Sequence, residues 1–151
     1  MKKIFLILLF LNSSLCESQN RSIAREWNEQ VLHAIRNDYA RPTIHARNLF
    51  HTSIAIYDIW AVFNDKASTF LLGKTVGNYR CNFDGFYIGE SIDEDRKIAM
   101  SYAVYRIMLH RFSNSPGIEE IYLSINNLMD ELGYDKNMQS VDYHNGNAAA
   151  L

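Results

Sequence analysis

Apolar side chains recur at intervals of three and four over four stretches of this chain, the spacing that lines one face of an α-helix. The first stretch predicts a helix from about Ile23 to Asn37. Ser22 is its N-cap, and Ile23, Trp27, Val31, Ala34 and Ile35 form the apolar face. Arg41-Pro42 then interrupts, because proline disfavours helix in the residue before it. A second helix is expected to begin with Thr43 as cap and to run to about Phe63. Its apolar residues, among them Leu49, Phe50, Ile54, Tyr57, Trp60 and Ala61, cover more than one face. That is the pattern of a helix buried among others.

The third stretch carries the clearest start signal. Ser91 with Glu94 makes a capping box, and Asp93 and Asp95 place negative charge at the positive end of the helix dipole. Ile98, Ser101, Tyr102, Tyr105, Leu109 and Phe112 then share one stripe, and His110 and Arg111 sit at the C-terminal end. The fourth helix is expected to open with Ser115 as cap and Pro116 at its first position. It continues through Ile118, Ile121, Tyr122, Ile125, Leu128, Met129 and Leu132, and Gly133 closes it. Between the second and third helices, residues 64–90 show no sustained period. Gly73, Gly77, Gly85 and Gly89 alternate there with Phe70, Tyr79, Phe83, Phe86 and Tyr87. Such apolar content predicts an ordered loop pinned by aromatics, with or without a short hairpin, rather than a flexible linker. The expectation is an all-α fold of about four helices.

Composition narrows the function classes. The 151 residues are 48% hydrophobic and 21% charged, with 13% aromatics and two prolines, which suits one globular domain of long helices. The formal charge is −2 and no Lys/Arg cluster stands out, so a nucleic-acid groove is not expected. Residues 1–16 read as a signal peptide: Lys2 and Lys3, the apolar run Ile4 to Leu11, then Ser13, Ser14, Leu15 and Cys16. That run is too short to span roughly 30 Å of hydrocarbon. Leu15 stands where an acylated cysteine wants a small neighbour, so cleavage after Cys16 is preferred to a lipoprotein anchor. The expected product is exported, begins near Glu17 and carries −4, since two lysines and no acids leave. Cys81 is then the remaining cysteine, either a buried thiol or one whose partner lies elsewhere. At the other end, Asn147 before Ala148-Ala149-Ala150 reads as the cap and first turn of a fifth helix. One turn is not stable alone.

The densest polar set lies on the second helix: His45, Arg47, Asn48, His51 and Asp58. At about 100° per residue, Arg47, His51 and Asp58 fall within roughly 40° of one another. As a site, Asp58 would orient His51 as base or ligand beside a cationic anion holder. A structural polar network is preferred, because seven residues separate His51 from Asp58 by about 10 Å along the axis. No His-Glu-x-x-His, paired cysteines, Gly-x-Ser-x-Gly elbow or phosphate loop occurs. Tyr102, Tyr105, Trp27 and Trp60 are expected in the core rather than in a ligand platform.

Trp27-Asn28-Glu29, Ala40-Arg41-Pro42-Thr43-Ile44-His45-Ala46-Arg47-Asn48-Leu49-Phe50-His51 and Tyr57-Asp58-Ile59-Trp60-Ala61 stand in an order and spacing that resembles the N-terminal helical region of bacterial vanadium-dependent haloperoxidase-like proteins, which belong with the type-2 phosphatidic acid phosphatase superfamily. Further along are Leu72-Gly73-Lys74-Thr75-Val76-Gly77, Ser101-Tyr102-Ala103-Val104-Tyr105-Arg106, His110-Arg111-Phe112, Asn114-Ser115-Pro116-Gly117 and Gly146-Asn147-Ala148-Ala149-Ala150-Leu151. The resemblance runs from about residue 23 onward. It implies a full-length enzyme that binds vanadate and oxidises halide with peroxide, or that hydrolyses a phosphate ester in the same pocket. In that family the pocket comes from Lys-x6-Arg-Pro, Pro-Ser-Gly-His and Ser-Arg-x5-His segments nearer the C-terminus. Here Ala34 stands seven before Arg41, Ser115-Pro116-Gly117 is not Pro-Ser-Gly-His, and no Ser-Arg pair occurs. No catalytic, cofactor-binding or metal residue can therefore be carried over. The expectation is a scaffold portion whose partner is the missing C-terminal catalytic part of the same protein, with self-association when alone. Two other readings stand beside it: a self-contained exported binding or interaction module, and a small hydrolase using the polar face of the second helix.

Overall fold

The computed structural model describes residues 21–85 and 91–136. The expected signal peptide, Phe86, Tyr87 and Gly89, and the turn at Ala148 lie outside them. Among the described residues the fold is all-α apart from one small hairpin. Its helices are α1 (Ile23–Arg36), α2 (Pro42–Val62), α3 (Ile92–Arg111) and α4 (Ile118–Glu131), and the hairpin joins β1 (Thr75–Val76) to β2 (Tyr79–Arg80).

Local chemistry accounts for most of the boundaries. The Ser22 hydroxyl accepts from the Arg25 N–H at 3.4 Å and starts α1. Ser91 does the same for the Glu94 N–H at 3.5 Å and starts α3, while the Glu94 carboxylate turns to Lys97 at 2.6 Å. Helix α4 ends in a Schellman arrangement: Gly133 takes φ +72°, its N–H reaches the Asp130 carbonyl, and the Tyr134 N–H reaches that of Met129.

Two helix starts differ from expectation. Pro42 is the first residue of α2 rather than a break before it, since its fixed φ and missing N–H suit that position, and Thr43 is not the cap. Helix α4 begins two residues later than Ser115 and Pro116 suggested, capped by Gly117 with no side-chain bond. Ser115 is instead buried and donates its hydroxyl to Asp38 at 3.0 Å. The Gly117 N–H meets the Asn37 carbonyl at 3.1 Å, and a Cβ at Gly117 would lie 2.8 Å from that oxygen. The turn before α4 is thus clamped to the end of α1, and the clamp needs glycine.

Helix α3 is the centre of the fold. Every residue from Ala99 to Tyr105 is buried, with α1 and α4 on one side and α2 on the other. The larger cluster joins Trp27 and Val31 of α1 to Tyr102, Met108 and the adjoining Phe112, and to Ile121, Ile125 and Met129 of α4. The α2 contact is built around three alanines, Ala55 with Ile59 against Ala99, Met100 and Ala103. The expectation that α2 would be the helix enclosed on several sides is therefore corrected. Its outer face stays open, and Trp60, expected in the core, is 39% exposed. Trp27, Tyr102 and Tyr105 are buried as expected.

A polar bond fixes α1 on α3. The indole N–H of Trp27, a residue with no exposed surface, donates to the Ser101 hydroxyl at 2.8 Å, and that hydroxyl donates to the Lys97 carbonyl at 2.9 Å. Replacing Ser101 by Ala strands a buried indole N–H, which costs about 1–3 kcal/mol. In a Trp27→Phe background the same change should cost far less, because the donor has gone. A double-mutant cycle by denaturant unfolding measures this coupling, and simple additivity would show that the bond contributes nothing.

Candidate functional site

The loop leaving α2 turns back along that helix, and one carboxylate holds it there. Asp58 is 1% exposed and accepts three consecutive backbone N–H groups, those of Phe70, Leu71 at 2.8 Å and Leu72 at 2.9 Å. Successive N–H groups pointing one way form an anion-binding concavity, and here the chain's own carboxylate fills it. The loop then continues into the hairpin, whose turn has Gly77 at φ +60° followed by Asn78, as a II′ turn requires. Aromatics contribute as expected, though less: Phe70 meets Phe50 edge to face at 6.4 Å, and the Tyr57 hydroxyl donates to the Ser68 carbonyl at 3.1 Å.

Pinning the loop creates a cleft of about 470 Å³ with three walls. Helix α2 contributes His51, Ile54, Ala55 and Asp58, which repeat at i, i+3, i+4 and i+7. The end of α3 supplies Arg106, Ile107, His110 and Arg111, and the loop and hairpin bring Leu71, Lys74 and Tyr79 among others. The Arg111 guanidinium contacts His51 at Nδ1. Because arginine can only donate, Nδ1 is the acceptor, and the imidazole proton sits on Nε2. Burial pushes the His51 pKa below its ordinary value, and the charges of Arg111 and Arg47 push it further in the same direction. All three effects favour the neutral ring that Arg111 requires.

The sequence-derived set is thus divided. His51 and Asp58 line one cleft but have different partners, and Arg47 is exposed, reaching His51 through its charge. His45 lies outside the cleft, in the first turn of α2. Its Nε2 is 2.8 Å from the Tyr39 carbonyl, and its Nδ1 is 3.9 Å from Asp38. Asn48 is buried with neither amide atom hydrogen-bonded. The basic wall from α3 and Lys74 was not anticipated. His110 and Arg111 were legible as late-helix cations, but nothing in their spacing tied Arg111 to His51, 60 residues earlier. Cys81 is half-buried at the cleft wall, with a free thiol.

Among the described residues, no three His, Cys, Asp or Glu side chains come together in a group that could hold a metal ion. No helix there is long and apolar enough to cross a membrane. No family model, curated protein or solved structure matches the chain.

The cleft generates two expectations. Asp58→Ala leaves three N–H groups without their acceptor, at roughly 1–3 kcal/mol for a buried one and less for those water can reach. A loss of about 2–4 kcal/mol is expected by chemical denaturation, with Asp58→Asn intermediate because it keeps one acceptor oxygen. A loss under about 0.5 kcal/mol, as for an ordinary surface substitution, would mean that the loop is not held by this residue. The second concerns pH. The folded His51 pKa lies below the unfolded value, so the unfolded state takes up the proton first as pH falls. Stability is unaffected by His51 above about 6.5 and declines as pH drops from there through the folded pKa. Unfolding curves from pH 8 to pH 5 should show this decline shrinking in His51→Gln and partly in Arg111→Gln. An unchanged slope in both would assign it to other groups.

Proposed function

We propose that this chain is the N-terminal scaffold portion of a vanadium-dependent haloperoxidase-like protein, or of a related phosphatase, without a catalytic site of its own. The ordered strings from Trp27 onward motivate the family, and an all-α fold is what that resemblance implies. The observation that carries the scaffold role is the uncovered outer face of α2. Phe50 is 55% exposed, and Tyr57, Trp60 and the adjoining Phe70 are exposed beside it. The rings are already arranged as a surface, Phe50 on Phe70 and Tyr57 on Trp60 at 5.8 Å. A contiguous aromatic patch on a folded domain marks a place where another surface packs. On this reading the C-terminal catalytic part of the same protein covers it and supplies the vanadate pocket. The residues here lack all three oxyanion-binding segments, so no step of the chemistry is assigned to them.

The purified chain lacking residues 1–16 should be helical by circular dichroism, bind an apolar-surface dye and self-associate. Phe50→Ser with Trp60→Ser should reduce dye binding and association while leaving the helical signal intact. Vanadate, halide and peroxide together should give no halogenation, and vanadate-dependent turnover would overturn the scaffold reading. A monomer with a sharp two-state melt and no dye binding would instead favour a self-contained exported binding module.

A further inference from the structure

The cleft between α2, α3 and the hairpin carries a charge pattern that the scaffold role does not use. Lys74 and Arg111 both line it, and among the described residues neither forms an ion pair with a carboxylate. Asp58 is the acidic residue in the lining, and its oxygens are occupied by three backbone N–H groups. The Lys74 ammonium is steadied by the Thr69 carbonyl, and the Arg111 fork by the His51 ring. A guanidinium held through one nitrogen on a neutral imidazole keeps its other N–H groups for a planar, bidentate acceptor. Beside these cations the lining carries apolar side chains, with Ile54 and Ile107 from the helices, Leu71 from the loop and the Tyr79 ring at the rim. A cleft of about 470 Å³ lined in this way has the size and polarity of a small-molecule site.

We infer that the cleft binds a small organic carboxylate, its head group on Arg111 and Lys74 and its apolar body against Ile54, Leu71, Ile107 and Tyr79. A carboxylate is the better match than a phosphate ester. The Arg111 fork fits two coplanar oxygens, and Lys74 lines the same cleft as a second cation for the head group. His51 is a positioning residue: it orients Arg111 and does not itself touch the head group. The cleft is built from this chain's own elements, so its chemistry is the same whether or not another part covers the outer face of α2.

The test is a titration of the full chain with 3-phenylpropionate, followed by ligand-observed NMR and calorimetry. The comparison ligands are 3-phenylpropanol, acetate and phenyl phosphate. The carboxylate should bind, with the alcohol and acetate each weaker by about tenfold or more, as expected when one charged hydrogen-bonding pair or the apolar body is lost. Arg111→Gln and Lys74→Met should each weaken binding by about tenfold with little change in the melting curve, since both side chains are at the surface. Affinity should fall in high salt, because the pair is partly open to water. His51→Phe should weaken binding less than Arg111→Gln does, and the double variant should be no weaker than Arg111→Gln alone. Equal binding of the alcohol would reduce the cleft to an apolar groove, and tighter binding of phenyl phosphate would assign it to a different anion class. Absence of binding at millimolar carboxylate, or indifference to both cation variants, would overturn the site altogether.

Discussion

A carboxylate with almost no access to water must be met by donors, and Asp58 is met by three consecutive backbone N–H groups of the loop that follows its own helix. The bond set works in both directions. It gives the buried charge its partners, and it gives three loop donors an acceptor that the two-residue strands beyond them could not supply. With residues 70–72 fixed, the hairpin is fixed too, because the Gly73 N–H meets the Cys81 carbonyl and the Cys81 N–H meets the Lys74 carbonyl at 2.9 Å each. Lys74 and Tyr79 stand where they do as a result. The cleft's third wall is therefore a consequence of one side chain on α2.

The other two walls depend on how closely α2 approaches α3. Alanine at 55, 99 and 103 lets the two helices pack tightly, and the Arg111 end of α3 comes to lie beside His51. Larger residues at those positions would overpack the interface, typically at 1–3 kcal/mol, and would carry the guanidinium away from the ring. Small residues here thus have a second effect beyond close packing, which is to set the width of the cleft. The opposite side of α3 uses the reverse means, with the large side chains Trp27, Tyr102 and Met108 packed in the core it shares with α1 and α4.

Helices α1 and α3 were legible in the sequence because their caps are local: Ser22 and Ser91 each act within three residues. The end of α4 was legible for the same reason, since Gly133 signals its own backbone conformation. What the sequence concealed was every contact between distant segments. Ser115 looks like a helix cap, and its hydroxyl is taken by Asp38, 77 residues away. Asp58 looks like a partner for His51, and its oxygens go to the loop instead. Local patterns show which groups want partners, while only tertiary structure shows which of several candidates gets them. The relative roles of α2 and α3 were misjudged because apolarity around a helix's whole circumference does not say what covers it.

The composition of α2 follows from the three surfaces it presents. At about 100° per residue, Asn48, Thr52, Ala55 and Ile59 fall within roughly 60° and form the buried sector, where Ala55 and Ile59 meet α3. His51, Ile54 and Asp58 occupy the neighbouring sector, of about the same width, and open onto the cleft. Phe50, Tyr57 and Trp60 fill a third of roughly 80°, exposed on the outside. A helix that packs on one side and meets water on the other shows a single apolar stripe. One that serves a helix interface, a cleft and an aromatic surface has apolar residues in every direction, and its pattern loses contrast. That loss of contrast marks α2 as the element where the fold, the cleft and the uncovered surface meet. A change in its length or rotation would shift all three together, since one turn of displacement moves every sector by the same 5.4 Å.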